Sequence, residues 1–262
     1  VSVECVFEAA DGNTFVPTGA AVGAWDAGII HGAAVGALLA GRLDPPSGTL
    51  ARLSIDFLAP VPFGPLEVEL SEPAGGRRVS RQRAVLRHEG REVALGSSVV
   101  VTEGRVDLPE RAVDDHNPFG ANGVPPLREP NRRAAEIVGH ESFDSLVTII
   151  DYERVDGDRR LHQWISLALP IIGGTEPSGA ELVAVAADYG QGAVHRVLPM
   201  ADWSFRNAEQ TLHLSRPATG RWVGVRCESV AQPVGAGFNT ADLFDEAGRF
   251  GRSAAAVVLE HR

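Results

Sequence analysis

Two stretches of the chain are apolar nearly all round: residues 28–42 (GIIHGAAVGALLAGR) and 179–194 (GAELVAVAADYGQGAV). A helix of that kind is wrapped on every side by protein. The pattern predicts two buried helices whose small residues (Ala33, Ala34, Ala37; Ala184, Ala186, Ala187) let a sheet come close. Glycine inside a helix costs about 1 kcal/mol relative to alanine, so tertiary packing must hold both.

Each predicted helix is followed by strand-rich sequence. After the first come 50–58, 66–72, 77–88 and 91–102; after the second come 211–215, 222–230, 237–245 and 248–260. The breaks are clusters of Gly, Pro and Asp, which end strands. The two stretches also match each other. Pro60 and Pro217 are 157 positions apart, and Gly90 and Gly248 are 158 apart. A spacing that recurs in the same order suggests a duplicated unit. A strand opens each copy, at 2–9 in the first and at 142–154 and 161–169 in the second. Each copy then reads as strand, buried helix and β-meander. An antiparallel sheet curled around one apolar helix satisfies that pattern, since the sheet buries one face and the helix its whole surface. The expected division is 1–104, a Pro-rich connection over 105–141, and 142–262. The connection holds Pro109, Pro118, Pro125, Pro126 and Pro130.

Composition narrows the function classes. The 262 residues are 44% hydrophobic and 22% charged, enough for a sizeable core. A net charge of −10 argues against a general nucleic-acid binder, which needs a basic face. Cys5 and Cys227 are 222 positions apart, and no close-spaced Cys or His group suggests a metal site. Two free thiols is the simpler reading. Glu4, Glu8 and Asp11 lead us to expect no signal peptide. The apolar stretch 27–41 is shorter than the roughly 20 residues a bilayer requires. The expectation is a cytoplasmic protein with no membrane span and no cofactor.

The ordered motifs resemble the double-hotdog acyl-CoA thioesterases. They are Trp25 followed by His31-Gly32; Phe57-Leu-Ala-Pro60; Ala187-Asp188-Tyr189-Gly190; Trp203-Ser-Phe-Arg-Asn207; Leu212-His-Leu-Ser-Arg-Pro217 with Trp222; and Asp245-Glu-Ala-Gly-Arg249 to Ser253. The resemblance implies an α+β fold of two tandem hotdog units. Each is an antiparallel sheet wrapped around a central helix, the two sheets join into one, and a cleft between the units takes an acyl thioester. It also implies an Asp, a Thr-like residue and a Gln that orient a water. By position these fall on Asp188, on Asn207 in place of Thr, and at or next to Ala255 in place of Gln. Ser253 and Gln191 are the nearest polar substitutes for the missing Gln. The implied partner is acyl-CoA, and assembly into a homodimer is expected.

The residues themselves support that chemistry. Thioester hydrolysis needs a water aimed at the carbonyl carbon and a donor aimed at the oxyanion. The chain has no Gly-x-Ser-x-Gly elbow, so a water-activating carboxylate is the economical route. Asp188 is the only charged side chain between Glu181 and Arg196. Burial in an apolar helix would raise its pKa and make it a better base near neutral pH. The expected catalytic set is Asp188, Asn207 and Ser253; the expected substrate contacts are Trp25, His31, Gly32, Tyr189 and Gln191.

Each choice has a structural alternative. Asp188 reads also as a backbone cap, His31 as a core or helix-start residue, Asn207 as a turn former, and Trp25 as core. The Arg77-Arg78, Arg81 and Arg83 group suits phosphate but reads first as a solvated strand face. Competing functions are a non-catalytic acyl-CoA or lipid-binding protein that lost the Gln, a hydratase built on a paired Asp and His such as His31 or His195, and a scaffold with a plugged cleft.

Overall fold

The computed structural model describes residues 4–112, 140–153, 160–190, 194, 198–199 and 201–262. Among the described residues two α-helices and fourteen strands follow in chain order. The first half holds β1 (Phe7–Ala9), β2 (Thr14–Pro17), α1 (Gly32–Leu43), β3 (Thr49–Phe57), β4 (Leu66–Leu70), β5 (Ala74–Gly75), β6 (Val79–His88) and β7 (Arg91–Val101). The second holds β8 (Val147–Glu153), β9 (Arg160–Leu167), α2 (Gly179–Asp188), β10 (Trp203–Asn207), β11 (Glu209–Leu214), β12 (Val223–Ala231), β13 (Ala236–Asp245) and β14 (Gly248–His261).

All fourteen strands form one antiparallel sheet, ordered β1-β2-β4-β6-β7-β3-β11-β14-β13-β12-β9-β8, with β5 against β6 and β10 against β14. The halves mirror each other about the β3–β11 pair. β4 and β12 open at Leu66 and Val223, β6 and β13 at Val79 and Ala236, and β7 and β14 at Arg91 and Gly248. Each pair of openings is 157 apart, so one spacing governs the repeat. The 158 read from Gly90 and Gly248 is displaced by one. Gly90 sits inside the β6–β7 turn with φ 77°, whereas Gly248 already belongs to β14. This is the double hotdog: two helix-wrapped units whose sheets join into one.

Each helix lies on its own half of the sheet, and the two pack against each other. They run antiparallel, since a β-carbon at Gly32 would lie 3.7 Å from Asp188 Oδ1 while one at Gly41 would collide with Glu181. Every residue of α2 from Glu181 to Asp188 is buried, as is most of α1. Both helices are shorter than their apolar stretches suggest. His31, which follows the bridge residues Ile29 and Ile30, accepts a hydrogen bond from Ala33 N at its Nδ1, and α1 starts after it. α2 starts at a capping box: Ser178 Oγ accepts from Glu181 N, and Glu181 Oε2 accepts from Ser178 N at 2.7 Å. It stops at Tyr189, before the glycines that follow. Cys5 and Cys227 are both buried, and Cys227 Sγ donates to Leu161 O at 3.5 Å. Among the described residues no helix is long and apolar enough to cross a membrane.

The feature that opens a site is the parting of β3 from β10. β3 pairs with β11 up to Asp56–Glu209, and Phe57 N still bonds Ala208 O. Beyond that point the chain after Phe57 turns toward Val61, while β10 continues along β14 from Asn207–Val257 to Trp203–His261. The helix-facing space between them is left uncovered by sheet.

Candidate active site

A cavity of about 280 Å³ occupies that parting, at the N-terminus of α1 and the C-terminus of α2. Its wall includes Trp25, His31, Gly32, Asp188 and Asn207, five of the residues singled out in the sequence. The rest is mostly apolar, with Ile29, Ile30, Phe57, Leu58, Val61 and Phe205 prominent.

Asp188 is 3% exposed and closes the last turn of α2. Asn207 ends β10, so it is a strand residue, and its Nδ2 donates to Asp188 Oδ1 at 2.8 Å. Burial drives the Asp188 pKa above its ordinary value; His31 and the Asn207 bond pull it part of the way back, and the nearby Asp144 carboxylate adds to the rise. Asn207 Oδ1 has no partner among the described residues. Gly32 matters by what it lacks, since its bare Cα leaves the first turn of α1 open beside the carboxylate. Its N–H, at the first helical position, has no intrahelical acceptor.

His31 is held from three sides. Nδ1 accepts from Ala33 N at 3.0 Å, Nε2 faces Asp144 Oδ1 at 3.5 Å, and the ring stacks on Phe143 and Tyr189. Burial opposes its protonation, but the Asp144 and Asp188 carboxylates outweigh that and raise its pKa. While Nδ1 caps α1 it carries no proton, so the ring is the Nε2–H tautomer directed at Asp144. Double protonation would release the cap.

Asp144 is the residue that sequence reading missed. It lies in the short turn Phe143–Leu146 before β8 and accepts from Tyr189 Oη at 2.6 Å and Ser142 Oγ at 3.0 Å. Burial alone would raise its pKa, but His31, Tyr189 and Ser142 together hold it far below the carboxylate range. Burial and Asp144 push the Tyr189 phenol well above its usual value, so Tyr189 stays a donor. The signal for Asp144 was an acid in an otherwise uncharged run, residues 142–150.

The other expected residues fall elsewhere. Tyr189 stands behind His31 with its hydroxyl spent on Asp144 and is not part of the cavity wall. Ser253 is not brought to Asp188: on β14 it pairs with Leu212 and Ala241, four residues from Val257, the residue opposite Asn207. At strand rise that is roughly 13 Å away. It borders a separate hollow of about 630 Å³ near His213 and Arg226. Gln191 and His195 lie outside the described residues. Arg81 and Arg83 are on β6, with Arg77 and Arg78 just before it, away from the cavity. The cavity's own cation is Arg206, which is ion-paired with Glu260, and Arg262 lies 5.0 Å above the Trp25 ring. Among the described residues no cluster of three or more His, Cys, Asp or Glu side chains could hold a metal.

Two family models match the sequence. The acyl-CoA thioesterase N-terminal domain covers residues 21–102, and the acyl-CoA thioesterase C-terminal domain covers residues 110–258. The chain belongs to the acyl-CoA thioesterase family. Among solved structures, a proposed thioesterase II from Thermobifida fusca YX is similar over 97% of this chain and 95% of its own, with 17% identity and a TM-score of 0.71. A hot dog fold protein of unknown function from Alicyclobacillus acidocaldarius is similar over 96% and 95%, with 14% identity and a TM-score of 0.69. The acyl-CoA thioesterase II TesB2 of Mycobacterium marinum is similar over 98% and 95%, with 13% identity and a TM-score of 0.62. No curated protein matches the sequence. At these identities the solved structures speak for the fold, and the family for thioesterase descent.

Proposed function

We propose that this acyl-CoA thioesterase family member hydrolyses a fatty acyl-CoA thioester with Asp188 as the base that activates water. The observation that carries the reading is the Asn207–Asp188 hydrogen bond, made inside an apolar cavity at the start of a helix. Asn207 Nδ2 fixes the carboxylate, whose raised pKa makes it a stronger base than a solvated aspartate. Water attacks the thioester carbonyl carbon as Asp188 takes its proton. The Gly32 N–H and the positive end of α1 are placed to stabilise the oxyanion. The intermediate collapses with loss of the CoA thiolate, which takes from Asp188 the proton that water gave up and so restores the carboxylate. Trp25, Ile30 and Phe57 line the acyl slot, and Arg206 and Arg262 stand at its rim for the anionic end of CoA. His31 and Asp144 are positioning residues: they hold the helix start and Tyr189.

The test is release of CoA thiol from acyl-CoA esters of graded chain length by wild type, Asp188→Asn and Asn207→Ala. Loss of a water-activating base lowers the rate by about 100- to 10,000-fold. Equal rates in wild type and Asp188→Asn would remove Asp188 from the mechanism.

One observation favours a second reading, a non-catalytic acyl-CoA binder. The β14 residue opposite Asn207 is Val257 and the next on that face is Ala255, so β14 offers no side-chain hydrogen bond beside Asp188. Tight acyl-CoA binding without thiol release would establish it. A hydratase is disfavoured, because both ring nitrogens of His31 are engaged.

A further inference from the structure

The helix-facing side of the second half of the sheet carries a buried polar group that the reading above does not use. It centres on Ala255. Asn239 pairs with Ala255 from β13, and Ser229 pairs with Asn239 from β12. Gln210 lies on the other side, next to the Thr211–Ala254 pair, and Ser253 is two residues along β14. Their exposures are 1% for Asn239, 1% for Gln210, 2% for Ser229 and 5% for Ser253. Gln210 Nε2 donates to Ala184 O at 2.9 Å, which fixes this face beneath α2. The remaining polar atoms, namely both amide ends of Asn239, Gln210 Oε1, Ser229 Oγ and Ser253 Oγ, have no partner among the described residues.

An unpaired buried amide or hydroxyl costs about 1–3 kcal/mol, and native interiors pair such groups with protein or ordered water. Five such atoms on one face of four neighbouring strands exceed what a dry core tolerates. A hydroxyl group, which donates one hydrogen bond and accepts two, can pair with the Asn239 and Gln210 amides that flank Ala255. None of the four lines the cavity, but a residue of its wall comes near. Asn207, whose Oδ1 is likewise unpartnered, sits opposite Val257, two residues from Ala255, or about 7 Å at strand rise.

We propose that Asn239, Gln210, Ser229 and Ser253 form a hydroxyl-binding site around Ala255, filled by water in the free protein or by the hydroxyl of an oxygenated acyl chain reaching in from the cavity. The acyl source rests on the thioesterase reading, whereas the water source stands without it.

Crystals of the full chain, free and soaked with octanoyl-CoA or hydroxyoctanoyl-CoA, test the site together with thermal melting of Asn239→Leu. The expected result is an ordered oxygen within hydrogen-bond distance of Asn239 Nδ2 and a lower melting temperature for Asn239→Leu, by roughly 2–4 °C per kcal/mol lost. An oxygen retained in both soaks assigns the site to water. An acyl hydroxyl in its place, with a several-fold hydrolytic preference for hydroxyoctanoyl-CoA that Asn239→Leu abolishes, assigns it to substrate. A dry site with Asn239→Leu melting higher than wild type overturns the proposal. If Asn239→Leu does not fold, Ser229→Ala carries the same melting test. An ordered oxygen together with no release of CoA thiol from either ester counts against the thioesterase reading and leaves the water site standing.

Discussion

Ser54 Oγ and Thr211 Oγ1 meet at 3.1 Å where β3 pairs with β11, and the two residues are 157 positions apart. Since 157 is the repeat, each is the other's counterpart, and their contact marks the local twofold that joins the units. Thr211 Oγ1 donates to Glu209 Oε2 at 3.0 Å, so Ser54 is the donor in the pair. Glu209 in turn accepts from Ala256 N at 2.9 Å, tying the junction to β14.

A double-mutant cycle on this pair should show coupling. Ser54→Ala removes one hydrogen bond and Thr211→Val removes two, each worth about 0.5–1.5 kcal/mol. The double variant should be less destabilised than the two losses combined, by about 1 kcal/mol. Strictly additive losses in urea melts would mean that the contact does not staple the halves.

Two of the three glycines of α1, Gly36 and Gly41, should respond in opposite directions to alanine. At Gly36 a β-carbon meets only Ile55 Cδ1, at 3.6 Å, an ordinary contact. Gly36→Ala should therefore gain up to about 1 kcal/mol from helix propensity. At Gly41 the β-carbon would overlap the Glu181 carboxylate, which is committed to the α2 capping box. Gly41→Ala should lose about 1–3 kcal/mol by overpacking. Melting temperatures of the two variants decide it; Gly41→Ala melting at or above wild type would refute the tight helix crossing.

His31 offers a cap that can be kept or removed. Asparagine can accept from Ala33 N as the imidazole does, whereas alanine cannot, and losing an N-cap costs about 0.5–2 kcal/mol. His31→Asn should therefore melt above His31→Ala. Asp144 adds a pH dependence. Its pKa is depressed by folding, so its stabilisation is complete above the ordinary carboxylate range and is lost as pH falls through the depressed value. Acid titrations of stability should show that loss in wild type and not in Asp144→Asn. Identical acid limbs would dissociate Asp144 from the His31–Tyr189 assembly.

Much of the fold was legible because its signals are local. All-round apolar runs with small residues mark buried helices, and Gly, Pro and Asp clusters end most strands within two residues of where the hydrogen bonding ends. What stayed hidden depends on register and tertiary contact. Residue 253 and the position opposite Asn207 lie on one face of β14, and only the β10–β14 pairing reveals that the latter is Val257. Only Ala208 separates β10 from β11, so no Gly, Pro or Asp marks where one strand gives way to the next. Asp144 joins the site from a turn far along the chain, and nothing nearby in sequence announces the contact with His31. Asp188 was readable for the opposite reason: a lone acid in an apolar helix is visible without knowing its neighbours.

That lone acid should trade stability for rate. A carboxylate whose pKa is raised by folding binds its proton more tightly in the folded chain, so stability falls as pH rises from the unfolded value through the folded one, then stays at the lower level. Above that window the ionised Asp188 weighs against the fold. Asparagine resembles the protonated acid, and its Oδ1 can still accept from Asn207 Nδ2. Asp188→Asn should therefore melt at or above wild type near neutral pH, with the two curves converging in acid. Catalysis should run the other way. In wild type, kcat/KM for acyl-CoA should climb with pH along a single ionisation displaced upward from the ordinary aspartate value of about 3.9, and Asp188→Asn should lack that limb. Melting curves and pH–rate profiles on the same two proteins make the comparison. If Asp188→Asn loses stability together with activity, the carboxylate is a structural anchor of α2 and the base must be sought elsewhere.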